Sequence, residues 1–356
     1  MTAGALAPTA AFAGGRPDTV QSRLNALVRE DGLPAALASV KGRDGRTRSY
    51  TAGVGDLATG AKVPANGQVR IGSNTKAFTA VVVLQLVAEG KVGLDSPVET
   101  HLPGLLRGDG IDGRAITVRQ LLQHTSGLPE YVDKDSILTN PTRYYEPRDL
   151  LDAALARKAH FAPGARWEYS NTNYLVAGLI IQKVTARPLG EEINRRIVDR
   201  IGLRHTSFPG PGDTSIHEAH PKGYNREADG SFRDYTELDP SWGWAAGAAV
   251  STNSDMIRFY TALLDGHLLP AAQLAEMRTT VPADEVGPGV RYGLGLVSRP
   301  LPCGGLYWGH GGTIPGYYTA GGATDDGRAA SIAVTMIPTR GAEQHVEAAV
   351  ESAICR

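Results

Sequence analysis

The chain has 356 residues, enough for a sizeable core and more than one lobe. Its 36 basic and 37 acidic side chains nearly cancel, and no block of either sign points to nucleic acid or to an acidic disordered tail. No apolar run reaches transmembrane length, and neither an internal repeat nor a low-complexity linker is visible.

Residues 1–13 are rich in small side chains and end in Ala11-Phe12-Ala13. They read either as the tail of a secretory signal that lacks its charged and strongly apolar parts or as a disordered leader, and in both cases lie outside the fold. Val20, Leu24, Leu27 and Val28 follow helical spacing, with Gly32 as the stop. Residues 35–40 and 46–54 flank Asp44-Gly45, a hairpin signal. The longest apolar run, from Ala77 to Val87, predicts a buried helix that Gly90 closes. Further helices are expected over 118–123, 147–157, 174–185 and 189–198. Strands follow over 292–297, 306–308, 317–323 and 331–336, the last two joined through Asp325-Asp326-Gly327, and 342–354 is a final helix. Strands at both ends of a helical middle predict an α/β fold with an inserted lobe. Residues 14–72 and 246–356 would form the discontinuous α/β lobe and 73–245 the mainly α-helical one. The site is expected between them.

Ser73-Asn74-Thr75-Lys76 opens the buried helix. Positions i and i+3 share a helix face, so the Lys76 amine falls within reach of the Ser73 hydroxyl. A buried lysine sheds its proton readily, and a helix N-terminus adds positive potential. Together these activate a weak nucleophile. Taken alone, the same residues read equally well as an N-cap. Two more segments shift the balance. Trp167-Glu168-Tyr169-Ser170-Asn171 precedes an apolar helix, and Tyr169 and Asn171, two apart, point the same way on an extended loop. Trp308-Gly309-His310-Gly311-Gly312-Thr313 ends a strand-like stretch. His124, in His124-Thr125-Ser126-Gly127-Leu128-Pro129, reads as a loop brace. There is no Cys-x-x-Cys and no His-Glu-x-x-His, and the histidines are scattered, so neither a metal nor a cofactor is expected.

In this order the three segments resemble the penicillin-recognising serine hydrolases. That family includes D-alanyl-D-alanine carboxypeptidases, class C β-lactamases and their esterase, amidase and D-aminopeptidase relatives. It carries Ser-x-x-Lys, Tyr-x-Asn and Lys/His-x-Gly, standing here as Ser73/Lys76, Tyr169/Asn171 and His310/Gly312. Val83-Leu84-Gln85-Leu86-Val87, Tyr169-Ser170-Asn171-Thr172-Asn173 and Tyr292-Gly293-Leu294-Gly295-Leu296 look most like the secreted actinobacterial carboxypeptidases. The likeness runs along nearly the whole chain after the first few tens of residues.

The resemblance implies a β-lactamase/transpeptidase-like fold, an antiparallel sheet flanked by helices. Ser73 would form an acyl-enzyme with a peptide, or a peptidyl ester or amide, possibly of D-configuration; β-lactams would acylate it too. Lys76 and Tyr169 form the base pair, and which of them takes the proton stays open. Tyr169 needs a nearby cation to ionise, and Lys76 and His310 are the candidates. Asn171 would bond the substrate amide or Lys76. The backbone N–H groups of Ser73 and Thr313 would form the oxyanion hole. Trp242 is expected to line the cleft and Tyr131 its rim, against a plain core role for each. Cys303 and Cys355 would form a disulfide, as in the secreted relatives, which also implies an extracellular location.

The carboxypeptidase relatives carry a hydroxyl residue where Gly311 stands, and an arginine where Val297 stands. Arg299, two residues on, could face the same way and bind a terminal carboxylate beside Thr313, with a surface role as the alternative. The main expectation is a D-alanyl-D-alanine carboxypeptidase-like hydrolase. The alternatives are an esterase, amidase or D-aminopeptidase, a transacylase or cyclising thioesterase that delivers the acyl group to an amine, and a non-catalytic peptidoglycan or β-lactam binder.

Overall fold

A computed structural model describes residues 19–356; the leader expected over residues 1–13 lies outside them. A nine-stranded antiparallel sheet organises the described residues. Its strands are β1 (Ala35–Lys41), β2 (Thr47–Gly53), β3 (Val281–Pro282), β4 (Arg291–Tyr292), β5 (Val297–Pro300), β6 (Leu306–Gly309), β7 (Gly312–Ile314), β8 (Tyr317–Ala323) and β9 (Ala329–Val334). The order is β2-β1-β9-β8-β6-β5-β4-β3, with β7 also on β8. The first strand therefore pairs with the last, Ala36 opposite Val334. Asp44-Gly45 and Asp326-Gly327 turn the two hairpins, each glycine with positive φ.

Helices α1 (Thr19–Arg29) and α5 (Arg340–Ile354) cover one face of the sheet. Val20, Leu24 and Leu27 meet Val346, Val350 and Ile354 there, over Ile332 and Val334. Helix α4 (Asn253–Leu264) covers the other face. Beyond it a larger core surrounds α2 (Thr75–Ala88) and α3 (Asn171–Thr185). Phe78, Val81, Val82 and Leu84 of α2 are inaccessible to solvent. A helix apolar on every side has to be enclosed in this way.

One expectation needs correction. Residues 292–297 do not form one strand: β4 ends at Tyr292 and β5 begins at Val297. Gly295 lies between them at φ +75, where a Cβ would sit 2.6 Å from Ala80 Cβ and 2.7 Å from the Tyr174 hydroxyl. The chain folds inward there to seal α2. The helix expected over 189–198 is present: it is α-helical at Leu189–Ile193, π-helical through Asn194–Val198 and closes with an α turn at Asp199–Ile201. Cys303 and Cys355 are disulfide-bonded, which ties the end of α5 to the sheet. Among the described residues no helix is long and apolar enough to cross a membrane.

Candidate active site

Ser73 sits in a single 3-10 turn, Gly72–Asn74, that runs directly into α2. The turn is braced from inside. Thr75 Oγ1 donates to Gly72 O at 2.7 Å, and Asn74 Nδ2 donates to Ile71 O and to Thr319 Oγ1. The Tyr260 hydroxyl donates to Asn74 Oδ1 at 2.7 Å. The two residues between Ser73 and Lys76 are therefore structural.

Lys76 lies one turn on and is fully buried. Its Nζ stands 3.0 Å from Ser73 Oγ, 2.6 Å from Asn171 Oδ1 and 2.9 Å from Ala246 O. Burial lowers its pKa to about 7, against the opposing pull of Glu130. Tyr169 precedes α3, and its hydroxyl donates to Ser73 Oγ at 2.8 Å. Burial raises the Tyr169 pKa, and the charge of Glu130 adds to this. The phenol is thus held neutral although Lys76 Nζ lies 4.8 Å from its ring centre.

His310 and Gly311 stand between β6 and β7 and leave the ladder. Beyond them two glycines face each other. A Cβ on Gly312 would come 1.9 Å from Ile71 O, and one on Gly72, at φ +49, 3.0 Å from both N and O of Thr313. The absence of both Cβ atoms lets the nucleophile turn and β7 touch through their backbones, which brings the Thr313 peptide beside Ser73. Burial lowers the His310 pKa to about 3, and the charge of Lys76 adds to this. His310 therefore supplies no cation to Tyr169, which leaves Lys76 alone of the two expected candidates.

A cleft of about 620 Å³ opens over Ser73, Tyr169, Asn171 and His310, and Trp242 is among the residues that line it. Tyr131 does not stand at its rim. It is 3% exposed, is itself not a lining residue although its neighbours Glu130 and Val132 are, and donates its hydroxyl to Trp242 O at 2.5 Å. Tyr131 supports the wall from behind. Arg299 reaches the far end of the cleft but is engaged by Glu347 of α5 in two contacts, at 2.7 and 2.9 Å. Its charge is met within the protein. The Thr313 side chain is exposed.

Three neighbours escaped sequence reasoning or were underrated by it. Glu130 accepts from the Asn171 backbone N–H and side-chain amide, at 3.0 and 2.8 Å. Tyr292 bridges the two buried histidines, 2.9 Å from His310 Nε2 and 3.2 Å from His124 Nε2. His124, at φ 60, stacks on the Tyr169 ring with centres 4.3 Å apart. The only traces in the sequence were an acid directly after Gly127-Leu128-Pro129 and a tyrosine opening Tyr292-Gly293-Leu294-Gly295-Leu296. Among the described residues no group of three or more His, Cys, Asp or Glu is placed to hold a metal.

A family model described as Beta-lactamase matches residues 20–352. The D-stereospecific amidohydrolase of a Streptomyces species superimposes with a TM-score of 0.86 at 39% identity, covering 93% of this chain and 97% of that one. The D-amino acid amidase of Ochrobactrum anthropi SV3, in complex with L-phenylalanine amide, superimposes with a TM-score of 0.82 at 28% identity, covering 94% and 97%. Protein flp of Staphylococcus aureus (strain N315) is 34% identical over 167 residues, 47% of this chain. The chain spans only 33% of the length of that curated relative. A match that runs through nearly every described residue places the chain in the beta-lactamase family, and its fold is of the β-lactamase/transpeptidase type.

Proposed function

We propose that the protein is a serine hydrolase that cleaves amides and esters of D-configured acyl groups through an acyl-enzyme on Ser73. The observation that carries this reading is the set of partners around Lys76 Nζ. A neutral amine has two protons and one lone pair. Ala246 O can only accept. Asn171 turns its oxygen to Lys76 because its NH2 faces the Glu130 carboxylate. Both amine protons are thereby taken, and the lone pair faces Ser73 Oγ. Lys76 is the base in this reading, and Tyr169, held neutral, is a proton donor.

Ser73 Oγ attacks the carbonyl carbon as its proton passes to Lys76. The oxyanion is met by the backbone N–H groups of Ser73 and Thr313. On collapse the C–N or C–O bond breaks, and the leaving group takes a proton from Tyr169, which Lys76 restores. Water then repeats the sequence on the ester, and Ser73 recovers its proton. β-Lactams would acylate Ser73 in the same way.

The likeness to a D-stereospecific amidohydrolase and a D-amino acid amidase supports D-configuration and an amide or ester leaving group. The engagement of Arg299 by Glu347 argues against a terminal carboxylate as the main recognition element. The Cys303–Cys355 bridge supports an oxidising, extracellular location. The test compares kcat/KM for an N-acyl-D-alanyl-D-alanine peptide with its C-terminal amide and ester, and with the L-series. The amide or ester of the D-series is expected to lead. Preference for the free acid would restore the carboxypeptidase reading. Hydrolysis surviving in Ser73→Ala would overturn the acyl-enzyme altogether.

A further inference from the structure

Two histidines and a tyrosine lie buried in line behind the reacting groups, and no step above uses them. The direction of every hydrogen bond in this line follows from partners that can act in one way only. Ser170 O can only accept, so the Asn173 amide turns its NH2 towards it, at 3.2 Å. The same NH2 then faces His124 Nδ1 at 3.1 Å, while Asn173 Oδ1 receives the Ser126 hydroxyl. The Ser170 backbone N–H also points at His124 Nδ1, at 3.3 Å. His124 Nδ1 is therefore an acceptor, and its proton sits on Nε2.

That proton is donated to the Tyr292 oxygen at 3.2 Å. The single Tyr292 proton is left for His310 Nε2 at 2.9 Å. His310 in turn carries its proton on Nδ1 and donates it to the Gly311 carbonyl at 2.6 Å. The two histidines thus hold opposite tautomers, and Tyr292 relates them. Burial, which lowers both imidazole pKa values, agrees with two neutral rings.

Resting on the acyl-enzyme reading of Ser73, we propose that Tyr292 is a positioning residue that fixes the oxyanion strand through His310. Both nitrogens of His310 are used within the protein, so this histidine neither gives a proton to the substrate nor takes one. Its work is to hold the Gly311 peptide where the chain leaves β6. The orientation of Gly311 sets how β7 enters the ladder, and with it where the Thr313 N–H points. Tyr292 and His124 carry that constraint back to the ring of Tyr169, on which His124 stacks.

The first test reads the wild-type protein and uses substitutions only to assign its signals. The imidazole 15N resonances of the wild-type protein, assigned with His124→Asn and His310→Asn, report each tautomer directly. The expectation is Nδ1–H for His310 and Nε2–H for His124 at neutral pH. An Nε2–H or doubly protonated His310 would overturn the proposal. The second test is Tyr292→Phe, which keeps the ring and removes the hydroxyl. The kcat/KM should fall by about 10- to 100-fold, since displacement of catalytic groups by about 1 Å costs up to that order. Affinity for a boronic acid, whose tetrahedral serine adduct fills the oxyanion position, should fall by a similar factor. Affinity for the product acid should stay within about twofold, and the boronate's separate response is what a purely structural role would not produce. Equal loss of boronate and product affinity, or loss of neither, would overturn the role of Tyr292. An absence of turnover on all D-acyl substrates in the wild type would instead defeat the functional reading and leave the tautomer result standing.

Discussion

Asn171 gives Glu130 two hydrogen bonds, from its backbone N–H at 3.0 Å and from its side-chain amide at 2.8 Å. The carboxylate thereby orients the amide oxygen towards Lys76, and its charge also opposes the fall in the Lys76 pKa. Glu130→Gln removes that charge and permits either amide orientation. The rise of kcat/KM with pH should move to lower pH, and the plateau should drop about tenfold, or ~1.4 kcal/mol. A limb that stays in place, or moves to higher pH, would contradict the coupling.

Lys76 has a folded pKa of about 7 against an ordinary 10.5. Between these values the unfolded chain binds more protons than the folded one, so this group makes the fold more stable as pH rises from about 7 to about 10.5. The unfolding free energy of wild type minus that of Lys76→Met should become steadily more positive across that window and be flat below it. Chemical denaturation at a series of pH values measures it. Lys76→Arg, which stays protonated, should lose activity by about 10²- to 10⁴-fold.

Gly72→Ala tests the backbone contact between the nucleophile turn and β7. The new methyl would meet the Thr313 peptide at 3.0 Å, at a φ that disfavours any side chain. The variant should fold with a lower melting temperature and lose about 10²-fold or more in kcat, the scale of one oxyanion donor. Wild-type kcat would show that Thr313 has no part in the reaction.

Much of this was legible because it is local. The Ser73–Lys76 spacing fixes a contact on one helix turn, and Tyr169 lies two residues ahead of Asn171 on the same entry to α3. The Asp44-Gly45 turn and the span of β8 could likewise be read from neighbouring residues. What could not be read depends on residues distant in sequence. Glu130 becomes a partner of Asn171, and Tyr292 of two histidines, only once β4 and the His124 loop meet behind the site. Helix α4 went unrecognised although Thr252 caps it and Asp255 stands in its first turn. Its apolar residues Met256, Ile257, Tyr260, Leu263 and Leu264 recur at helical spacing, so this element was legible in the sequence. The resemblance implies similar roles for Tyr131 and Trp242, yet Trp242 lines the cleft and Tyr131 supports it from behind.

The Cys303–Cys355 bridge closes a separation of 52 residues, for which loop entropy predicts about 4 kcal/mol of stabilisation. It anchors α5, whose Glu347 holds Arg299 at the end of the cleft. Reductant, or the double change Cys303→Ser and Cys355→Ser, should lower the denaturation midpoint by a corresponding amount. An unchanged midpoint would mean that the contact of Arg328 with Ile354 O secures the helix by itself.

The pairing of β1 with β9 has a consequence for synthesis. A ribosome delivers β1 and β2 well before β9, with the whole helical middle between them. Until then the inner edge of β1, with Ala36, Leu37 and Ala38 all buried in the finished fold, has no strand beside it. The nascent protein carries that edge open until β9 emerges, and an unpaired strand edge is a template for pairing with other chains.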